Sequence, residues 1–338
     1  MTPDLSPTPR RPQRGVTLVE LMVALAVSMV VALAALAALN IARQGFTVND
    51  SAAQLRENGR FVSDLLQRLV VQTGFKDLSY ATTARPTNVA GIVSNPPPAI
   101  YGLNNSSRVS TDAWDTGTTR LSGTTGYGSD ILVLRFQPSS NSSTATAADG
   151  SMINCNGESL TTLPTNRDDR AISIIHLGTD SDGEPSLMCS SIPVNSSTVT
   201  QTTLIRGVEN FQVLYGTDSI APNNTVTTST PDSLPDRYLR ANELTVGGNL
   251  TATYFNWRRV RSVRIGLVLR SPPGQSTDAT SAVFLPFGVG QGSSSGADGS
   301  AFASSNDPGT TASENTFTDT RFRRAVTFTV HLRNDQGS

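Results

Sequence analysis

Glu20 stands at the head of an apolar run, residues 21–39, that is interrupted only by Ser28. A carboxylate at the edge of such a run costs about 2–3 kcal/mol unless it is paired, so its presence points to function rather than to a chance boundary charge. The other residues able to do chemistry are few. Cys155 and Cys189 are the only cysteines; they lack CxxC spacing, and only His176 and His331 could complete a zinc site with them. If this part of the chain is exported, a single disulfide is the favoured fate of the pair. Asp180-Ser181-Asp182-Gly183-Glu184 clusters oxygen ligands as a calcium loop would, with Asp180, Asp182 and Glu184 as the candidate ligands. It lacks the twelve-residue pattern and flanking helices, and an ordinary hairpin turn explains it better. Gly292-Ser293-Ser294-Ser295-Gly296 formally matches a nucleophile elbow but lies in a Ser/Gly run without a strand-to-helix context. His176 and His331 sit in strand patterns, and no carboxylate pair stands out. Neither catalysis nor a cofactor is expected. Arg258, Arg259, Arg261 and Arg264 cluster, as do Arg321, Arg323 and Arg324. With a formal net charge of -1 and charges split between strand faces, they read as a solvated sheet edge rather than a nucleic-acid surface.

The elements that must position these residues divide sharply. Residues 1–15 are rich in proline, which forbids a stable helix, and their net positive charge keeps that end cytoplasmic. The run that follows has about the length needed to cross a bilayer core of roughly 30 Å at 1.5 Å per residue. It is longer than a secretory signal core, and no small-residue cleavage box ends it before Arg43. A plain signal anchor would explain the hydrophobicity but not Glu20. Beyond Asn40, Val48, Ala52, Leu55, Gly59, Val62, Leu66 and Leu69 recur at spacings of four and three, one stripe of an amphipathic helix. The pattern predicts a single helix over 16–73, stopped at Gly74, whose second half packs on a sheet rather than forming a coiled-coil stalk. From residue 75 the signals are strands, at 129–136, 171–177, 204–215, 260–270 and 323–333, between loops at 104–126, 137–150, 217–235 and 271–313. The last strand alternates Val326, Phe328, Val330 and Leu332 with polar or small residues, as a half-buried strand does. Whether this region is one domain or two lobes divided near 195–201 stays open.

Arg14-Gly15-Val16-Thr17-Leu18-Val19-Glu20-Leu21-Met22 resembles the class III prepilin signal. The resemblance implies cleavage between Gly15 and Val16 by a prepilin peptidase, N-methylation of Val16, and a mature chain of 16–338. Valine replaces the phenylalanine that many members carry at the first mature position. Glu20, the fifth mature residue, would then pair in low dielectric with the amino terminus of a neighbouring subunit and set the axial register. Further stretches resemble the minor pilin family PilW: Cys155-Asn156-Gly157; Leu187-Met188-Cys189; Leu204-Ile205-Arg206-Gly207-Val208-Glu209 leading to Tyr215-Gly216; Val260-Arg261-Ser262-Val263-Arg264-Ile265 with Leu269-Arg270-Ser271; and Leu332-Arg333-Asn334.

That resemblance implies an α+β, type IV pilin-like fold: a long N-terminal helix packed on a mostly antiparallel β head with long loops. Its parts are a leader at 1–15, a helix at 16–74 (transmembrane or filament core over 16–40, amphipathic over 41–74) and a periplasmic or extracellular head at 75–338. It also implies a Cys155–Cys189 disulfide and a non-enzymatic role in priming pilus assembly from the pilus tip, with twitching motility and cell adhesion as the associated activities. The implied partners are the prepilin peptidase, other minor pilins, the major pilin, the inner-membrane assembly platform and a tip adhesin where the pilus has one; nucleic acid is not expected. The implied location is the inner membrane of a Gram-negative bacterium, N-terminus cytoplasmic, and then the pilus tip. A J-type minor pseudopilin of type II secretion would share the leader, Glu20 and the helix.

Overall fold

The computed structural model describes residues 15–81, 83, 95–225, 231–275, 282–284, 286–287, 316–317 and 319–334. The chain divides into two compact units, Met1–Asp50 and Ser51–Ser338. One helix, α1 (Leu18–Gln72, 55 residues), contributes to both. In the first unit it is a bare apolar rod. In the second it buries Ser51, Leu55, Gly59, Val62, Leu66, Leu69 and Val70, the stripe visible in the sequence. Gly59 is there for space: a Cβ at this position would lie 2.9 Å from Val326 Cγ2 and 3.6 Å from Leu269 Cδ1. α1 stops where Gly74 turns to φ +81° and its N–H leaves the helix to donate to the Arg135 carbonyl. Near the other end of the chain, the Asn334 side-chain amide donates to the carbonyls of Val71 (3.1 Å) and Thr73 (3.0 Å). Those are acceptors that a helix C-terminus leaves without partners of its own.

The rest of the second unit is built on two antiparallel sheets. The first has the order β1-β2-β3-β4-β5: β1 (Ile100–Leu103), β2 (Ile131–Phe136), β3 (Ala171–Thr179), β4 (Pro185–Ile192) and β5 (Thr200–Arg206). The second has the order β9-β8-β6-β7: β6 (Val208–Thr217), β7 (Arg237–Leu239), β8 (Val260–Arg270) and β9 (Arg323–His331). A short helix, α2 (Leu250–Arg258), is capped by the Asn249 side chain accepting from the Ala252 N–H. Inward residues of both sheets and the α1 stripe form one core around Trp257, Tyr215, Phe211 and Leu66. The outer face of the first sheet is also covered. Ile131, Val133, Ile172 and Ile174 pack there against Tyr101, Leu103 and Trp114. A strand covered on both faces has no reason to alternate, and β2 reads ILVLRF with every residue buried.

The α+β expectation holds, with three refinements. The strand read over 204–215 is two strands in different sheets, β5 and β6, divided at Gly207. That residue takes φ +73°, and a Cβ on it would lie 2.6 Å from the Arg270 carbonyl oxygen. The chain thus changes sheet at 207, not near 195–201, and the two sheets share one core rather than forming separate lobes. Strands β1, β4 and β7 and helix α2 are additional to the elements read from the sequence. The last strand alternates as expected, with Val330 buried and Thr327, Thr329 and His331 exposed.

Candidate functional site

Thr17 and Glu20 bond to each other. The Glu20 N–H donates to Thr17 Oγ1 at 3.2 Å, and Glu20 Oε2 accepts from the Thr17 N–H at 2.9 Å and from its hydroxyl at 3.1 Å. This is a reciprocal capping box over the first turn of α1, and a carboxylate there also complements the helix dipole. The geometry accounts for both residues at once: Thr17 stops the helix from starting earlier, and Glu20 finds partners at the apolar boundary. The helix that follows exposes Leu18, Leu21, Val23, Leu25, Met29 and Leu33, each by more than half. None of its most apolar stretch is buried. Among the described residues it is the one helix long and apolar enough to cross a membrane. Gly15 and Val16, the residues flanking the expected cleavage point, are exposed just before it; Arg14 and the rest of the leader lie outside the described residues.

In the second unit, Cys155 and Cys189 form a disulfide with Cα atoms 5.8 Å apart, tying the loop before β3 to β4. The residues after Cys155 explain the Cys-Asn-Gly motif. The Asn156 side chain donates to Ser191 Oγ on β4 (2.8 Å) and accepts from Thr202 Oγ1 on β5 (2.6 Å), while Gly157 makes the turn at φ +80°.

The motif residues of β6 and β8 meet in one ion-pair network, and Arg206 of β5 makes separate pairs with the acidic turn beside it. Arg270 bonds Glu184 and Glu209, each at 2.8 Å, and Arg321 reaches Glu184 at 3.1 Å. Arg323 bonds Glu209 and Asp319. Arg206 bonds Asp180 at 2.6 Å and Asp182 at 2.7 Å. Hence the acidic residues weighed as a calcium loop cap a β3–β4 turn and are neutralised by arginines. The Arg270 guanidinium, hydrogen-bonded to Glu184, holds that carboxyl below the usual carboxylate range. Burial pulls Asp180 upward, but the Glu184 and Asp182 amides and Arg206 outweigh it and leave the carboxyl low.

The arginines weighed as a nucleic-acid surface are largely engaged within the fold. Arg261 pairs with buried Asp218 at 3.3 Å, Arg259 approaches the same carboxylate at 4.0 Å, and Arg264 lies over the Tyr238 ring at 4.1 Å. His176 is fully buried and bonded to Ser190 Oγ at 3.0 Å; burial, with Arg108 and Arg120 nearby, pushes its pKa down to about 4. His331 is exposed on β9. No group of three His, Cys, Asp or Glu suited to a metal ion occurs among the described residues. Residues 292–296 lie outside them.

A capped, exposed apolar helix thus continues into a helix buried on a disulfide-closed β head, the arrangement of a type IV pilin-like fold. Residues 175–334 match the family model "Type IV Pilus-assembly protein W", PilW, and residues 10–36 match the prokaryotic N-terminal methylation motif. The chain therefore carries a stretch similar to PilW behind a stretch similar to the prepilin methylation motif. Cys155-Asn156-Gly157 precedes the matched stretch, and the Cys155–Cys189 bridge joins the two. A type IV-like pilin from Thermus thermophilus is similar at 12% identity over 84% of this chain and 98% of that one, with a TM-score of 0.37. No curated protein matches the chain.

Proposed function

We propose that this chain is a minor pilin of the type IV pilus that primes assembly together with other minor pilins, remains at the pilus tip and has no catalytic role. The reading rests on one observation above all: the exposed apolar half of α1, capped by Thr17 and Glu20, runs without a break into the helix that carries the PilW head. Cleavage between Gly15 and Val16 and methylation of Val16 would leave a mature chain whose helix sits in the inner membrane of a Gram-negative cell with its N-terminus cytoplasmic. Residues 16–40 would serve as membrane and then filament core, and 75–338 as the exported head. On assembly, Glu20 would exchange its bonds to Thr17 for the amino terminus of a neighbour, an attraction that low dielectric strengthens. The partners of such a chain are the prepilin peptidase, the major pilin, other minor pilins, the assembly platform and a tip adhesin where the pilus has one.

Mass spectrometry of the purified chain tests the processing: a chain beginning at N-methylated Val16 is expected, and an unprocessed chain within assembled pili would refute it. A Glu20→Leu chain that enters pili at the normal level would remove the register role. Deletion separates the proposal from its rival. Loss of surface pili and twitching is expected, whereas exoenzymes trapped in the periplasm would mean a pseudopilin.

A further inference from the structure

The outer face of the first sheet holds a feature that the assembly helix does not explain. A cavity of about 300 Å³ opens between β3, β4, β5 and the loop over 104–128, and Arg108, Arg120, Met188, Thr179 and Gln201 are among its lining residues. Among the described residues its lining contains no carboxylate. Both arginines are at least nine-tenths buried. Their hydrogen bonds run to main-chain carbonyls: Arg108 to Ala113 and Asp112, Arg120 to Ser106, Thr125 and Leu177. Arg108 Nε has no partner among the described residues. The carboxylates whose field they feel are Asp112 and Asp115 for Arg108 and Asp130 for Arg120. Two of these are already engaged: Asp112 caps the Val109 N–H, and Asp130 accepts from Asn104, Asn105 and Val213.

Buried charges are ordinarily paired, because carbonyl dipoles alone do not repay the lost hydration of a cation. Burial pushes Arg120 down to about 10, the direction expected of a cation short of counter-charge. The residues that follow the two arginines, Val109 and Leu121, are exposed by 59% and 73%. Buried arginines in a desolvated pit, each followed in the chain by an exposed aliphatic residue, fit an interface anchor with an apolar surround better than a free-ion site.

We infer that the Arg108–Arg120 cavity is a docking pit for an acidic side chain of a protein partner, presented on a segment with apolar residues on either side of the acid. The carboxylate would accept from the guanidinium groups and from the Gln201 amide at the rim, while the flanking apolar residues would cover Val109 and Leu121. This surface belongs to the head and does not depend on how the N-terminal helix is used.

The test uses the full chain in detergent and a fluorescently labelled, end-capped pentapeptide, Ala-Leu-Glu-Leu-Ala, followed by anisotropy. Saturable binding below about 1 mM is expected, weakened at least ten-fold when the peptide glutamate is replaced by glutamine. Gln201→Glu places a carboxylate at the cavity rim. It is expected to raise the melting temperature and abolish peptide binding, a combination that misfolding would not produce. Val109→Ser with Leu121→Ser should weaken the peptide without changing the melting temperature. The inference is overturned if the peptide does not bind, if the glutamine peptide or the Gln201→Glu chain binds equally well, or if sodium acetate alone matches the peptide in affinity. That last result would mean a small-anion site.

Discussion

Tyr215 is fully buried where the two sheets meet, its ring edge-on to Trp257 at 4.7 Å, and its hydroxyl has no hydrogen-bond partner among the described residues. The Gly102 backbone passes so close that a Cβ there would lie 1.9 Å from the hydroxyl oxygen. An unpaired buried hydroxyl costs about 1–3 kcal/mol, so Tyr215→Phe is expected to stabilise the protein by about 1 kcal/mol in urea unfolding. A destabilised variant would mean the hydroxyl has a partner after all. His176 makes the opposite point about pH. Its folded pKa, about 4, lies below the unfolded value near 6.5, so the unfolded chain takes up the proton first and stability falls as pH drops from about 6.5 to about 4. The shift corresponds to roughly 3 kcal/mol across that window, and His176→Gln should flatten the pH dependence by about this amount when unfolding is measured at pH 7 and pH 4. At this scale Glu20 was legible because its type violates its surroundings. Arg108 and Arg120 were not, because arginines in a polar loop do not announce their burial.

Helix α1 shows why whole elements are easier to read than the joints between them. Its stripe appears in the sequence because one face meets a single, continuous core, and Leu55, Val62, Leu66 and Leu69 are indeed buried there. Gly59 lies on the same stripe, where the spacing alone gives no reason for a glycine. The structure supplies it: Val326 of β9 and Leu269 of β8 pack against this position and leave no room for a Cβ. Gly59→Leu is therefore expected to cost about 1–3 kcal/mol by overpacking, whereas Gly45→Leu, with nothing within 4 Å, should leave head stability unchanged. Thermal unfolding of both variants checks the contrast, and equal melting temperatures would contradict it. The joint at Gly207 was missed because two strands on either side of one glycine keep their β-rich composition. A glycine inside a strand pattern is the available cue to a bend. The Arg270–Glu209–Arg323 network could not be seen in sequence at all, since it unites residues 61 and 114 positions apart.

At the scale of the molecule, the boundary between compact units and the boundary between element types fall in different places. Elements change type after residue 74, yet the compact units divide between Asp50 and Ser51, inside the helix. The reason is burial: the first half of α1 has an apolar surface that nothing in the described chain covers, while the second half completes the head's core. A chain beginning at Ser51 is therefore expected to be soluble and to unfold cooperatively, because it keeps Leu55, Val62, Leu66, Leu69 and Val70. A chain beginning at Phe75 loses these five buried side chains. At about 2–5 kcal/mol for each leucine removed from a core, the loss alone approaches or exceeds the roughly 5–15 kcal/mol that holds a domain together. The bridge between Cys155 and Cys189 closes 34 residues and contributes about 3–4 kcal/mol by loop entropy, too little to offset it. Circular dichroism during thermal unfolding of the two truncated chains decides the matter. A sharp transition in the chain from Phe75 would show that the helix only decorates the head. Its absence there, beside a sharp transition in the chain from Ser51, would show that a single helix is shared by two physical environments, with the division set by which side chains the head can bury.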